Sequence, residues 1–340
     1  MFPVLLSFRF PDWLARFGWV EGVLTVLLAG AWLWWRRRRP GFAWRGAAGV
    51  LVLYAAARTA VALAGPGYRF ELHTYGVLVA LGFVMAIVVA ARQARREFID
   101  ANLVLDLAFW ILVAALVGSR LLYILVNLPE YVADPLALLK VWTGGLVFYG
   151  GFIGAVAASW YFCQRRGVGF FRIADVVIPS VALGHFFGRL GCFSAGCCHG
   201  SGSGSHLFGA IYTAPHTVVA RSHLLGVPLH PTPLYDGFGE LMIFFLLLLL
   251  RRHKRWHGQL LVAWLVAYPL WRFLTEMFRG DVERGMLAWI DLFGDQRPEL
   301  LSTSQVVSLG LLLLAVVLWR RLRRVGQSAS GTDTGIQPAR

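Results

Sequence analysis

Long uninterrupted apolar runs are the feature that most constrains how this chain folds. Each run approaches the ~20 residues that a helix needs to cross the hydrocarbon core of a bilayer. Charged residues make up only 15% of the 340 positions and hydrophobic residues 58%, whereas soluble domains have about 25% charged residues. The sequence therefore predicts an all-α polytopic membrane protein with about nine transmembrane helices. The predicted spans are Phe17–Trp35, Gly46–Leu63, Tyr75–Ala91, Leu103–Val126, Leu146–Cys163, Ile173–Phe187, Leu234–Leu250, Gln259–Phe273 and Ser304–Trp319.

The basic residues follow the order of these spans. Every basic cluster comes after an odd-numbered span, which is the pattern of positively charged cytoplasmic loops. It places the N-terminus outside, the C-terminus in the cytoplasm and the clusters against anionic membrane lipids. The net charge of +14 does not form the single basic stripe of a nucleic-acid-binding protein, so no nucleic acid partner is expected. The clusters are Arg36–Arg39 with Arg45, Arg92/Arg95/Arg96, Arg165/Arg166/Arg172, Arg251/Arg252/Lys254/Arg255 and Arg320/Arg321/Arg323/Arg324.

The chain is expected to have three parts. Residues 1–70 contain two N-terminal transmembrane helices, and the first has no small-residue cleavage site after it, so it is expected to remain. Residues 71–322 form a membrane core of seven helices. Residues 323–340 are polar and rich in Ser, Gly and Thr, which indicates a disordered cytoplasmic tail.

Polar residues of unusual type gather in the segments that this topology places outside. A charge at membrane depth is costly unless it has a partner or a function, and glycines let a backbone approach a ligand closely. Four such segments on one side of the membrane predict a single site there. They are Glu71–Gly76, Trp142–Gly151, the Arg189–Asp236 loop, and the end of the eighth span with Arg272, Glu276, Arg279 and Asp281.

Five motifs follow one another along the predicted core. They are His73–Gly76 (HTYG), Gly144–Gly151 (GGLVFYGG), Gly188–Gly191 (GRLG), His230–Asp236 (HPTPLYD) and Tyr268–Glu276 (YPLWRFLTE). In this order they resemble the prolipoprotein diacylglyceryl transferase family, with weaker matches at Gly118–Arg120 and Ser304–Gln305. The resemblance covers about His73–Ser308 and implies a seven-helix core with its N-terminus outside, an orientation that two additional N-terminal helices preserve.

The resemblance implies a transfer reaction at the outer face of a bacterial inner membrane. The diacylglyceryl group of phosphatidylglycerol moves to the lipobox cysteine thiol of a secreted prolipoprotein, and glycerol phosphate leaves. Arginine suits an anionic phosphate because it stays charged and binds two oxygens at once, so Arg189 and Arg272 are the principal catalytic candidates, and Arg189 also a lipid-binding one. Glu276, four residues after Arg272, shares its helical face and is expected to hold the guanidinium. No cofactor is expected.

The other candidates divide by role. Further substrate-binding candidates are Tyr75, Gly76, Gly144, Gly145, Gly150, Gly151, Tyr235, Asp236 and Glu276. Further catalytic candidates are His73, Tyr149 and His199. Tyr149 stands where the family usually carries histidine, Cys192 where it carries asparagine, and Cys197 where glutamate is common. Because tyrosine is a weak base near neutral pH and the thiol must lose a proton, the expected base is His199, His73 or a thiolate.

Other interpretations stay open at this point. Arg189 and Arg272 are also consistent with structural ion pairs to Glu240 or Glu276, and the paired glycines with close helix packing. The loss of the usual histidine and asparagine is consistent with a non-catalytic relative that binds lipid or a secreted peptide. A lipid transferase that uses a cysteine nucleophile is a further alternative.

Three of the chain's four cysteines, Cys192, Cys197 and Cys198, are predicted to lie in a loop on the outer side, next to His199. Facing an oxidising compartment, Cys192 is expected to pair with Cys197 or Cys198 in a local disulfide. A zinc site made of the three thiolates and His199 is a second interpretation. A reactive thiol activated by Arg189 or His199 is the third.

Overall fold

The computed structural model describes residues 4–9, 69–133, 145, 147–204, 209–215, 217–280, 286–290 and 300–331. The chain divides into two compact units, Phe2–Thr74 and Tyr75–Arg340. In the smaller unit, β1 (Val4–Arg9) pairs antiparallel with β2 (Arg69–His73). The first two predicted spans, Phe17–Trp35 and Gly46–Leu63, lie outside the described residues, as do the site candidates Gly144 and Asp281.

Seven of the described helices overlap the last seven predicted spans, and two short helices lie between them. They are α1 (Thr74–Arg96), α2 (Ala101–Val126), the short α3 (Leu128–Ala133), α4 (Phe148–Arg166), α5 (Phe170–Ala195), the short α6 (Val218–Arg221), α7 (Thr232–Leu250), α8 (Gln259–Glu276) and α9 (Thr303–Gly331). Among the described residues, α1, α2, α5, α7 with the 3₁₀ turn after it, and α9 up to Arg324 are long and apolar enough to cross a membrane. The chain is therefore a polytopic membrane protein, and the total of nine helices remains a prediction.

Short strands and a longer last helix depart from the predicted pattern. β3 (Ala210–Ile211) pairs antiparallel with β4 (Pro228–Leu229), and β5 (Met286–Ile290) with β6 (Leu300–Ser302). The all-α prediction missed these strands because segments of two to five residues show too little periodicity. α9 continues to Gly331, into the segment predicted to be a disordered tail.

α5 is shared by the two main hydrophobic clusters of the larger unit. Leu183 on α5 packs with Leu247 of α7 and Leu260 of α8, and both of these leucines are fully buried. Val176, one and a half turns into the same helix, packs with Ala94 of α1 and with Cys163 of α4. Burial of Cys163 among apolar residues agrees with a packing role. α5 is consequently the central helix, and its two ends are held by different polar contacts.

The first polar contact lies near the start of α5. Asp175 is completely buried, and its carboxylate accepts hydrogen bonds from the backbone N–H groups of Gly258, Leu260 and Leu261 at 2.7, 2.9 and 3.1 Å. The backbone N–H groups at the N-terminus of a helix have no acceptor within the helix, so Asp175 supplies one. The helix dipole also favours a carboxylate at this end of α8. Lys254 Nζ lies 3.4 Å from Asp175. One side chain of α5 therefore fixes where α8 begins.

Glycines bring α2 and α4 into backbone contact. A Cβ atom built on Gly118 of α2 would overlap the carbonyl oxygen of Gly150 of α4, and one built on Gly150 would overlap the carbonyl oxygen of Gly118. The next turn repeats this arrangement, because a Cβ on Gly154 would overlap Ala114 O. Such close approach by small residues is a common way for membrane helices to associate.

Replacement of Gly118 by alanine is expected to destabilise the larger unit by about 1–3 kcal/mol, since backbone atoms would have to move to admit the methyl group. The matched control is Gly310→Ala on α9, where no atom lies within 4 Å of an added Cβ. Thermal unfolding in detergent measures the difference. Equal melting temperatures for the two variants would mean that this glycine contact does not set the helix spacing.

Candidate active site

Arg189 lies near the C-terminal end of α5, one turn after His185. Its Nε donates a hydrogen bond to His185 Nε2 at 3.1 Å, and its Nη2 lies 3.3 Å from Asp236 Oδ2 on α7. Because Nε2 accepts that bond, the ring proton of His185 is on Nδ1, which donates to Glu240 Oε1 at 2.6 Å. The Arg189 side chain is 14% exposed, and within the described residues its Nη1 has no partner. The guanidinium is thus held in a fixed orientation with one amino group available.

Asp236 joins the two predicted arginines. It lies in the first turns of α7 and is 3% exposed. Its Oδ2 accepts from Arg272 Nη1 at 3.3 Å as well as facing Arg189, and its Oδ1 accepts from the Thr275 hydroxyl. A carboxylate with charged donors on two sides is well stabilised in a buried position. Arg189 and Arg272 therefore lie on either side of one carboxylate.

Arg272 has its own carboxylate on α8. Its Nη2 forms an ion pair with Glu276, four residues later, and donates to Ser304 Oγ of α9 at 3.4 Å. The Arg272 and Glu276 side chains are 9% and 1% exposed. The spacing of four residues predicted this pair, and the structure contains it. Of the ion pairs considered from the sequence, the structure contains Arg272–Glu276. Arg189 pairs with Asp236 instead of a glutamate, and Glu240 contacts His185.

α5 ends later than predicted, which changes the position of Cys192. The helix runs to Ala195 and stops at Gly196, whose φ of 68° belongs to the left-handed region. Cys192 therefore lies in the last turn of α5 and not in a loop. The predicted span ended at Phe187, two residues before Arg189, whereas the helix continues past Arg189, whose charge is paired with Asp236. A side chain at Gly196 would also meet Thr217 Cβ at 2.7 Å, so this cap requires glycine.

The chain reverses after Gly196 and is held by the neighbouring loops. Cys197 N–H donates to Cys192 O at 3.1 Å, and Cys198 has a φ of 58°, with its carbonyl accepting from Thr232 Oγ1 at 2.6 Å. The backbone of the next residues bonds to residues 230 and 278 on its two sides. The reversal folds Cys197 and Cys198 back over Cys192, and these contacts fix it in place.

The three sulfur atoms meet in one cluster. Sγ of Cys192, Cys197 and Cys198 all lie within 4.8 Å of one another, and all three cysteines are free thiols. The Cys192 and Cys197 thiols lower the pKa of Cys198, and the charges of Arg279 and Arg189 lower it further. The ring nitrogens of His199 do not lie within this cluster of sulfur atoms, and its Nδ1 hydrogen-bonds to Gly200 O at 3.0 Å. The predicted Cys₃His set of zinc ligands is therefore not assembled.

Aromatic residues surround the end of α5. An added Cβ on Gly191 would lie 3.0 Å from Cδ2 of Tyr75, so the tyrosine ring packs directly on this glycine. Tyr75 remains 45% exposed, and no atom lies within 4 Å of a Cβ built on its neighbour Gly76. Tyr235 Oη lies 3.1 Å from His230 Nδ1. The structure therefore places Tyr75 beside the cysteine end of α5, and Tyr235 next to Asp236 on α7.

The glycine-rich segment lies against α2. Gly150 and Gly151 form part of the tight helix contact, and Gly145 O accepts from Arg120 Nη1 at 3.4 Å. Tyr149 is 43% exposed and packs against Phe148, and within the described residues it contacts neither predicted arginine. Gly150 and Gly151 therefore pack closely against α2, and their predicted contact with substrate stays a prediction. His73 ends β2 in the smaller unit.

Two members of the polar network were not predicted as site residues. His185 is not among the candidates from the sequence, and Glu240 is considered there only as an ion-pair partner of an arginine. Each lies one helical turn from a predicted residue, His185 before Arg189 and Glu240 after Asp236. An ionisable residue i±4 from another inside a span is a signal that would have found both.

Known proteins are similar to this chain over the region that contains the residues described above. The family model of prolipoprotein diacylglyceryl transferases matches residues 60–321. The chain belongs to this family. The phosphatidylglycerol–prolipoprotein diacylglyceryl transferase of Geobacillus kaustophilus is 34% identical over 73% of this chain and 87% of the relative. The enzyme of Halalkalibacterium halodurans is 30% identical over 80% of this chain and 89% of the relative. The enzyme of Clostridium tetani is 27% identical over 74% of this chain and 94% of the relative.

Membership of the prolipoprotein diacylglyceryl transferase family confirms the resemblance seen in the motifs. The matched region includes α5, α7 and α8, which carry Arg189, Asp236 and Arg272. It also includes the cysteine cluster and Tyr149, at which this chain departs from the residues expected for the family.

Proposed function

We propose that this chain transfers the diacylglyceryl group of phosphatidylglycerol to the lipobox cysteine of a secreted prolipoprotein. The observation that carries the proposal is the fixed pair of guanidiniums, Arg189 and Arg272, on either side of the buried Asp236. The relatives named for this reaction match this chain over more than 70% of its length. Nothing in the described residues favours a non-catalytic relative.

Arg189 is the residue that binds the lipid phosphate. Its Nε and Nη2 are engaged by His185 and Asp236, which orients the remaining amino group. Arg272 is deeper, and its amino groups contact Asp236, Glu276 and Ser304, so it fixes Asp236 and contributes the second positive charge. Such preorganised donors stabilise charge without having to reorient during the reaction.

The chemistry is the alkylation of a thiolate. The substrate sulfur attacks the glycerol carbon that carries the phosphate, a C–S bond forms, and the C–O bond to the phosphate breaks. The electron pair of that bond stays on the departing glycerol phosphate, which gains one negative charge. Arg189 and Arg272 stabilise this charge as it develops in a site that excludes most water.

Further substrate contacts are assigned to residues near the same end of α5. Tyr75 and Gly76 at the start of α1 and Tyr235 at the start of α7 are proposed to contact the lipid or the peptide. Gly145 belongs to this proposed set as well. Gly144 keeps its predicted role as a proposal, as do the two candidate bases His73 and His199.

A transfer assay with the purified full-length chain tests the function. The substrates are phosphatidylglycerol with a labelled diacylglyceryl group and a lipobox peptide, and the expected product is the thioether-linked peptide together with glycerol phosphate. A peptide with serine in place of the lipobox cysteine is the control and should remain unlabelled. Complementation of a cell depleted of its own transferase gives the cellular test. Failure of both, with folded protein in the membrane, would contradict the proposal.

The proposed orientation puts the cysteine end of α5 outside and the basic turn after α7 in the cytoplasm. Gly202 and His253 are both exposed, so cysteines placed there by Gly202→Cys and His253→Cys should react readily. An impermeant thiol reagent added to intact cells should label position 202 only, as read by peptide mass mapping. Labelling of both positions from the same side would refute the alternating topology.

A further inference from the structure

The thiol of the protein substrate has to lose its proton, and Tyr149, which stands where the family usually carries histidine, is a weak base near neutral pH. Tyr149 packs against Phe148, and His185 is held between Glu240 and Arg189. Three thiols meet within the same site instead. The cysteine cluster, which has no role so far, therefore lies where the substrate thiol has to be deprotonated.

We propose that Cys192, Cys197 and Cys198 bind one zinc ion whose open fourth position takes the thiol of the protein substrate. The three sulfur atoms already lie within 4.8 Å of one another. Zinc–sulfur bonds of about 2.3 Å in tetrahedral geometry require sulfur atoms about 3.8 Å apart, so the sulfur–sulfur distances have to shorten by at most about 1 Å to close the site. Three protein ligands and an open position are the arrangement of catalytic zinc sites.

The backbone around the thiols is built before any ion binds. Gly196 turns the chain through the left-handed region, and Thr217 packs where its side chain would be. Cys198 adopts a φ of 58°, which is unfavourable for a residue other than glycine, and Thr232 fixes its carbonyl. Strain of this kind persists where the surrounding structure enforces a functional geometry. The enforced geometry here is the convergence of three sulfur atoms.

The charges near the cluster suit a metal–thiolate centre. Three thiolates and one Zn²⁺ leave a net charge of −1, and the substrate thiolate makes it −2. Arg189 lies one helical turn before Cys192 on α5, and the backbone of Arg279 pairs with that of Gly200, two residues after Cys198. Positive charge near the cluster favours a centre with net negative charge. Soft thiolate ligands select zinc over hard cations such as Mg²⁺ and Ca²⁺.

This inference rests on the proposed function and supplies its missing step. A thiol that coordinates zinc is deprotonated, and its proton passes to solvent. The bound sulfur then attacks the glycerol carbon, the C–S bond forms, and glycerol phosphate departs with the electrons of the broken C–O bond. Arg189, three residues before Cys192 on the same helix face, places the lipid phosphate near that sulfur. No oxidant or reductant takes part.

Metal analysis of the full-length protein, purified in detergent without chelator or reductant, gives the first test. About one zinc ion per chain is expected, and Cys192→Ser, Cys197→Ser and Cys198→Ser should each lose most of it. Cys163→Ser is the matched control, since Cys163 is buried among apolar residues of α4 and is outside the cluster; it should keep its zinc. The inference would be overturned if wild-type protein contained no zinc. It would also be overturned by a disulfide among the three cysteines, or by copper bound in place of zinc.

Cobalt substitution tests the open position without measuring activity. Co²⁺ bound to thiolates gives a sulfur-to-metal charge-transfer absorption, which should grow when a lipobox peptide is added and stay constant with the serine peptide. An unchanged spectrum with the cysteine peptide would remove the substrate from the metal site. Transfer activity in zinc-free protein would refute the inference and leave the proposed function intact, whereas a zinc site that binds the peptide without any transfer would refute the function alone.

Discussion

Replacement of Arg189 by lysine is expected to lower the turnover of diacylglyceryl transfer by about a hundredfold. Lysine keeps the positive charge but loses the planar fork, and with it the contacts to His185 and Asp236 that orient the group. Loss of one oriented donor to developing charge is worth about 3 kcal/mol. The effect should appear mainly in kcat, because the interaction with the departing phosphate strengthens as its charge grows.

The control for this variant is Arg252→Lys, at an exposed arginine in the turn after α7. It should transfer at the wild-type rate and accumulate in the membrane to the same level. Initial rates at several phosphatidylglycerol concentrations separate kcat from KM. An Arg189→Lys protein that folds, inserts and turns over normally would assign Arg189 to structure alone. Arg272→Lys should lose activity for the related reason that Asp236 is no longer fixed.

Replacement of Asp236 by asparagine is expected to reduce both stability and activity. The change removes a carboxylate that faces both Arg189 and Arg272 at 3.3 Å. Leaving a buried charge without its partner costs about 3–5 kcal/mol, which is a large fraction of the 5–15 kcal/mol that typically stabilises a folded protein. Thermal unfolding in detergent should show a lower melting temperature, and transfer should fall even below that temperature.

Asp106→Asn is the matched control for Asp236→Asn. Asp106 also pairs with an arginine, Arg166, at 2.9 Å, but both side chains are more than half exposed. Exposed pairs contribute about 0–1 kcal/mol, so this variant should melt close to the wild type. If the two variants melted alike, the buried network would be no more important to stability than a surface ion pair.

The helices were predictable from the sequence because apolar runs in a bilayer have few other structures available. Their ends were less predictable. The sixth predicted span ended at Phe187, whereas α5 continues to Ala195 and stops at Gly196. The charge of Arg189 is stabilised within this helix by Asp236. Local sequence cannot reveal a partner that lies 47 residues away.

The site shows the same division between local and long-range information. The Arg272–Glu276 pair follows from a spacing of four residues on one helix, and the structure contains it. The role of Asp236 as a bridge depends on how three helices pack, and no periodicity encodes that. The cysteines were correctly grouped because they are neighbours in the sequence, but the position of His199 outside their cluster depends on how the chain turns after Cys198.

The polar contacts of α5 also bear on how the protein responds to its lipid environment. α5 is tied to α8 near its start through Asp175, and near its end through Arg189, Asp236 and Arg272. These attachments are separated by 14 residues, or about 21 Å along the helix. When bilayer thickness changes, single helices adjust by tilting, but two helices fastened at both ends have to tilt together. The distance between the two guanidiniums is therefore insulated from hydrophobic mismatch, so the same site geometry is kept in membranes of different thickness.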